Sequence, residues 1–159
     1  MEAQDDGVVR VSGQANLCLI RSGQEWSETA GDEQRMYLED VEPVLRAGMD
    51  FLRDEGHGIG CYANRYMTVL DDAGRPLDKS FGMSWWHSLE ALDTWAESHP
   101  THVAIFRVAL KYLGTMGAAA KLRLYHEVTV AAADQQRLEY LDCHPATGLL
   151  RASGVGASS

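Results

Sequence analysis

The sequence predicts an α+β fold of the ferredoxin-like βαββαβ kind, an α+β barrel type in which helices cover one face of an antiparallel sheet. Three observations predict it. Strand-like and helix-like patterns follow one another in that order between residues 16 and 131. The second and third strand patterns flank Asp71-Asp72-Ala73-Gly74-Arg75-Pro76, a strong turn sequence that makes them a hairpin. Residues 121 to 131 alternate apolar and polar groups, as a half-buried strand does.

The elements follow in order. Asn16 to Arg21 is a short apolar strand that ends at Ser22-Gly23, where a turn is easy. Residues 33 to 54 set Met36, Val41, Val44, Leu45, Met49, Phe51 and Leu52 between charges, an amphipathic helix stopped by Gly56, Gly58 and Gly60. Pro43 marks a kink or a break in it. Cys61 to Leu70 and Lys79 to Trp86 are the hairpin strands. Ser88 is placed to cap a helical segment that ends near Ser98. Pro100 suits the first turn of the next helix, which runs to Met116 among closing glycines. Lys121 to Ala131 is the last strand. Residues 1 to 15 read as a flexible lead, 16 to 150 as one domain and 151 to 159 as a disordered tail.

A chain of 159 residues suits one domain, and 45% hydrophobic with 23% charged residues argues against disorder. Fourteen basic residues against 23 acidic give a net charge of -9 with no Lys/Arg cluster, so a phosphate backbone is repelled and no nucleic acid partner is expected. No stretch approaches the roughly 20 apolar residues of a membrane span, and the acidic start lacks the apolar centre of a secretory signal. No membrane association and a cytoplasmic location are therefore expected. Cys18, Cys61 and Cys143 are odd in number and widely spaced, which fits free thiols in a reducing compartment. Cys143-His144-Pro145 reads as a surface loop.

Two histidines sit on apolar faces. The helical period groups His102 with Ile105, Phe106, Ala109 and Leu113, and strand alternation groups His126 with Leu122, Leu124, Val128 and Val130. With the helix over that sheet face, the two rings look into one interior from opposite sides. A buried neutral imidazole must still satisfy its nitrogens, which points to a metal or cofactor between them. Their separation, 126 minus 102 or 24 residues, is no short zinc motif. A haem suits the pair better, because it needs one helical imidazole as axial ligand and a large apolar slot. Met67, Phe81, Met83, Trp85 and Trp86 with Ile105 and Phe106 supply such walls, although each is equally an ordinary core residue. Ser22 shares its side of the strand with Cys18 and Ile20, where a cap or turn is its everyday role. Glu127 and Arg123 point to the face opposite His126 and read as a pair.

The stretch Trp-Trp-His-Ser-Leu-Glu-Ala-Leu-Asp-Thr-Trp-Ala-Glu-Ser-His-Pro-Thr-His-Val-Ala-Ile-Phe (85 to 106) and Leu-Arg-Leu-Tyr-His-Glu-Val (122 to 128) resemble the haem-containing aldoxime dehydratases. Asn-Leu-Cys-Leu-Ile-Arg-Ser-Gly-Gln-Glu-Trp (16 to 26) and Tyr-Leu-Asp-Cys-His-Pro-Ala-Thr-Gly-Leu-Leu (140 to 150) are similar to the same family, so the likeness spans most of the chain. The resemblance implies a lyase that turns an aldoxime, R-CH=N-OH, into a nitrile and water on haem b, with the substrate nitrogen on ferrous iron. It implies His102 as proximal ligand, His126 as distal acid and base, and Ser22 as hydrogen-bond partner of the oxime hydroxyl. Ile105, Phe106, Met83 and Trp85 would wall the haem. Members of the family are longer, with an N-terminal portion that gives the distal pocket an arginine; Arg21 should face the other way, and no replacement is placed. The expectation is a C-terminal fragment or truncated product. Two other readings stay open: a non-catalytic α+β dimerising or haem-binding module, and a different enzyme of the same α+β barrel shape. A homodimer through an exposed sheet face is a further expectation.

Overall fold

The structure, a computed structural model, describes residues 7–152. Its main sheet has four antiparallel strands, β2 (Leu17–Glu25), β3 (Cys61–Leu70), β4 (Pro76–Trp86) and β5 (Arg123–Ala131), in the order β3-β4-β2-β5. Helices α2 (Glu42–Asp54), α3 (Leu89–Ser98) and α4 (Pro100–Met116) cover one face, so the expected mixture of helix and antiparallel sheet is present. The main core lies between the two layers, where Cys18, Cys61 and Trp86 of the sheet meet Leu45, Met49, Leu52, Leu92 and Trp95 of the helices.

Strand alternation decides what reaches that core. On β4 Ser80, Gly82, Ser84 and Trp86 are buried under the helices, while Phe81, Met83 and Trp85 point to the helix-free face and are only half-buried. The small residues on the covered face have a packing reason. A Cβ at Gly82 would stand 2.7 Å from the Met49 sulfur, so its absence lets α2 settle onto the sheet.

The first main strand does not end at Ser22-Gly23 as expected. β2 continues to Glu25, with Ser22 opposite Gly82 on one side and His126 on the other. Gly23 serves a close approach rather than a turn, because the Tyr125 ring lies where its Cβ would be, at 2.0 Å.

The helix expected over 33 to 54 is interrupted. Residues 31–36 form α1 (Gly31–Met36), Tyr37–Val41 make a π-helical turn, and α2 begins at Glu42. Pro43 follows directly on the π turn, and the backbone is helical at Val41 and Glu42 before it, so it sits at an irregularity within one continuous helical segment rather than at a break. Tyr37 and Val41 are both buried by the π turn and pack with Tyr112 of α4. Ser88 caps α3 as expected, accepting from the Ala91 amide at 3.2 Å.

A second, two-stranded sheet was not apparent in the sequence. β1 (Val8–Val11), within the stretch expected as a lead, pairs antiparallel with β6 (Leu138–Leu141). Four residues each are too few for alternation to stand out. Arg151, first residue of the expected tail, donates to the carbonyls of Arg53 at 2.8 Å and Asp54 at 3.2 Å. Residues 1–6 of the lead and 153–159 of the tail lie outside the described residues. All three cysteines are free, and among the described residues no helix is long and apolar enough to cross a membrane. Arg123 does not pair with Glu127: it bonds Glu28 at 2.6 Å, and Glu127 faces Arg21 at 3.8 Å.

Candidate active site

A cavity of about 370 Å³ lies between the helical layer and the sheet, within the range of small-molecule sites. Five of the seven residues that the resemblance places at the site line it: His102, Ile105 and Phe106 from α4, and Ser22 and His126 from the sheet.

His102 owes its position to a break between helices. α3 ends at Ser98, and Pro100 starts α4 after His99. The Ala96 carbonyl would bond the amide of residue 100 in a continuous helix, but proline has none. The His102 ring takes that carbonyl instead, its Nδ1 standing 2.6 Å from Ala96 O and its centre 4.6 Å from that of the Trp95 ring, the two planes tilted by 58°. A carbonyl only accepts, so Nδ1 carries the proton and Nε2 keeps a free lone pair. Burial pushes the His102 pKa down, the Ala96 bond opposes this, and the charge of His126 lowers it further. The ring is therefore held neutral, in the tautomer a metal ligand needs.

The opposite wall is built by register. Ser22 and His126 are directly paired residues of β2 and β5, so both side chains leave the same face as neighbours. β5 is an edge strand that α4 does not close over. Phe106 is 56% exposed, Leu124 50% and Val128 47%, which leaves an apolar slot open along that side.

Met83 and Trp85, expected as walls of the slot, do not line it. The two-residue strand period sends both to the helix-free face and gives the cavity Gly82 and Ser84 in their place. Register puts Met67 and Phe81 opposite each other on that same outer face, and Trp86 packs in the core against Trp95, ring centres 5.5 Å apart. Tyr37, Gln24 and Asn64 line the cavity without having been foreseen. Gln24 lay beyond the expected strand end. Tyr37 needs a π turn that no apolar period announces.

The site's chemistry fits a haem. Among the described residues no three His, Cys, Asp or Glu groups gather to hold a bare metal ion. One imidazole with a free Nε2 facing an apolar slot suits a metal that brings its own equatorial donors. No lysine or arginine lines the cavity. Arg21 lies on the helix-free face, its guanidinium 4.5 Å from the Phe81 ring centre and 5.6 Å from that of Tyr125. A larger cleft of about 510 Å³ runs by β3 among Arg46, Arg53, Arg65 and Arg151. Of the residues expected as walls it contains Met67 but neither histidine, and Arg46 and Arg53 are already paired with Glu42, Asp50 and Asp54.

Comparison with known proteins agrees with this chemistry. The sequence model of the haem-containing dehydratase family matches residues 1–149. An aliphatic aldoxime dehydratase of Rhodococcus erythropolis is 48% identical over 145 residues, 91% of this chain and 40% of the relative. A phenylacetaldoxime dehydratase of Bacillus sp. (strain OxB-1) is 34% identical over 142 residues, 89% of this chain and 40% of the relative. The crystal structure of an aldoxime dehydratase in complex with butyraldoxime superposes with a TM-score of 0.84 at 47% identity, covering 94% of this chain and 42% of that one. The chain thus spans about two fifths of the length of these relatives. It belongs to the haem-containing dehydratase family.

Proposed function

We propose, on the premise of that membership, that this chain forms the haem-holding and proton-transferring part of an aldoxime dehydratase. The observation that carries the reading is the opposition of His102 on α4 to the paired Ser22 and His126 on the sheet, across one apolar cavity. His102 would hold the iron through Nε2, with Ile105, Phe106, Leu124 and Val128 against the ring. Bound there, haem supplies electron density to the C=N–OH unit through its iron.

The remaining work falls to side chains of this chain. The Ser22 hydroxyl hydrogen-bonds the oxime oxygen and orients it toward His126. The protonated His126 ring gives its proton to that oxygen, so the N–O bond breaks with water leaving rather than hydroxide. The ring, now neutral, takes the proton from the oxime carbon as the nitrile forms. R-CH=N-OH becomes R-C≡N and H₂O, and His126 returns to its starting charge.

Haem addition followed by reduction tests both parts. The chain should show a Soret band that moves on reduction, and the reduced form should convert butyraldoxime to butyronitrile. A chain that takes up no haem refutes the site; one that takes up haem and makes no nitrile confines the chain's role to cofactor binding.

A further inference from the structure

Two ties of the same span cross the junction between α3 and α4, and only one of them ends on His102. The Ala96 carbonyl meets His102 Nδ1 at 2.6 Å, and one residue earlier on each helix the Trp95 indole N–H donates to the Thr101 hydroxyl at 3.1 Å. Consecutive residues at the end of α3 are thus bonded to consecutive residues at the start of α4, each across six positions. The second tie also reaches the first. Trp95 is 6% exposed, lines the cavity, and sets its ring centre 4.6 Å from that of His102.

The hydrogen atoms of the second tie have one consistent arrangement. An indole N–H only donates, so the Thr101 oxygen accepts from Trp95. His99 caps α4 with its ring, Nδ1 accepting from the Thr101 amide at 3.4 Å, and a nitrogen that accepts offers a lone pair. The Thr101 hydroxyl, 2.9 Å from that nitrogen, therefore donates to it. The His99 ring packs in turn against Phe51, ring centres 4.6 Å apart, so the chain of donors ends on a held group.

Packing needs only the bulk of Trp95, whereas a hydrogen bond at Nε1 also fixes which edge of the indole faces its neighbours. The core holds the ring from one side, through Trp86 with ring centres 5.5 Å apart, and Thr101 holds it at Nε1. His102 gains from this in a specific way. The single bond from Nδ1 to the Ala96 carbonyl anchors one corner of the imidazole and leaves the ring free to rock about the line of that bond. A second contact off that line stops the rocking. The indole supplies it, with the two planes tilted by 58°.

We propose that Thr101 and Trp95 are positioning residues for the iron ligand: the Thr101 hydroxyl holds the indole, and the indole holds the plane of the His102 ring. The proposal rests on the reading of His102 as that ligand. An imidazole ligates through a lone pair in its own plane, so a ring free to rock carries the Nε2 pair off the iron and weakens the bond. Both residues act through His102, which makes them distinct from Ser22 and His126.

The test is resonance Raman spectroscopy of the reduced, haem-loaded full chain, read at the iron–histidine stretching band, with thermal melts alongside. Wild type should give one narrow band. Thr101→Val keeps the shape of the side chain and Trp95→Phe keeps an aromatic ring, and each removes the tie from one end. Both should shift or broaden the band and speed haem loss by roughly two- to tenfold, the range of one net hydrogen bond. Thr101→Ser should restore the wild-type band, and the double variant should be no worse than either single one. A band that neither variant moves, even with a lowered melting midpoint, means packing alone and overturns the proposal while sparing His102. So does a shift that Thr101→Ser leaves in place, or losses that add in the double variant. Absence of the band from wild type overturns the ligand reading and this assignment with it. If Thr101→Val does not fold, Trp95→Phe is compared with wild type and Thr101→Ser in the same measurement.

Discussion

The two faces of the main sheet are made from the same strands and are used in opposite ways. The helix-covered face carries Ser22, Gly82, Ser84 and His126, small or polar groups that leave space beneath α4. The helix-free face carries Phe81, Met83, Trp85 and Tyr125, with the Arg21 guanidinium against two of the rings. Aromatic content suggests a large apolar ligand on the second face, but the cavity is on the first. A strand makes room for a ligand with its small residues, and the large ones that would wall it come here from the opposing helix, as Ile105 and Phe106 do.

The sharpest way to break this contrast is to strip one residue from each face. His102→Ala should lose most bound haem, read as loss of the Soret band after gel filtration, whereas Trp85→Ala should keep it. Equal loss in both would mean that the faces do not divide the work. Next in size, His126→Ala should lower the rate of nitrile formation by roughly 10²–10⁴-fold with haem retained, the scale of a lost general acid and base. An active variant would remove His126 from the proton path.

A change aimed at the other face should act on stability instead. Gly23→Ala forces a methyl group into the Tyr125 ring and should cost about 1–3 kcal/mol, measured as a lower midpoint in urea. Ser22→Ala, one residue away but on the cavity side, should leave that midpoint nearly unchanged and lower kcat/KM by roughly two- to tenfold. The smallest effect is on pH. Because burial holds the His102 pKa down, the unfolded chain binds the extra proton first, and stability falls as pH drops below the ordinary histidine value of about 6.5. The haem-free chain should therefore be less stable at pH about 5 than at about 7.5, and His102→Gln should flatten that slope.

Much of this was legible in the sequence, for reasons particular residues make plain. His102 and His126 stood out because an imidazole on an apolar stripe is conspicuous, and their periods placed them on facing surfaces. Ser88, Pro100 and the Asp71–Pro76 turn announced element ends through local hydrogen bonding alone. The hairpin parity was within reach too, since Trp86 and Gly82 share a side, but without the register nothing said which side met the helices. Gly23 read as punctuation because its tenant, Tyr125, is 102 residues away (125 minus 23). The π turn at Tyr37 and the short strands β1 and β6 have no local pattern, being set by partners distant in the chain.

The Pro100 gap between α3 and α4 reaches further than helix geometry. By freeing the Ala96 carbonyl for His102 Nδ1, it lends the ring some imidazolate character and makes Nε2 a stronger electron donor. A residue with no polar side chain thus bears on the electronic character of an imidazole two positions away. Pro100→Ala, a bland change by composition, would return an amide to compete for that oxygen and so retune the site from outside its walls.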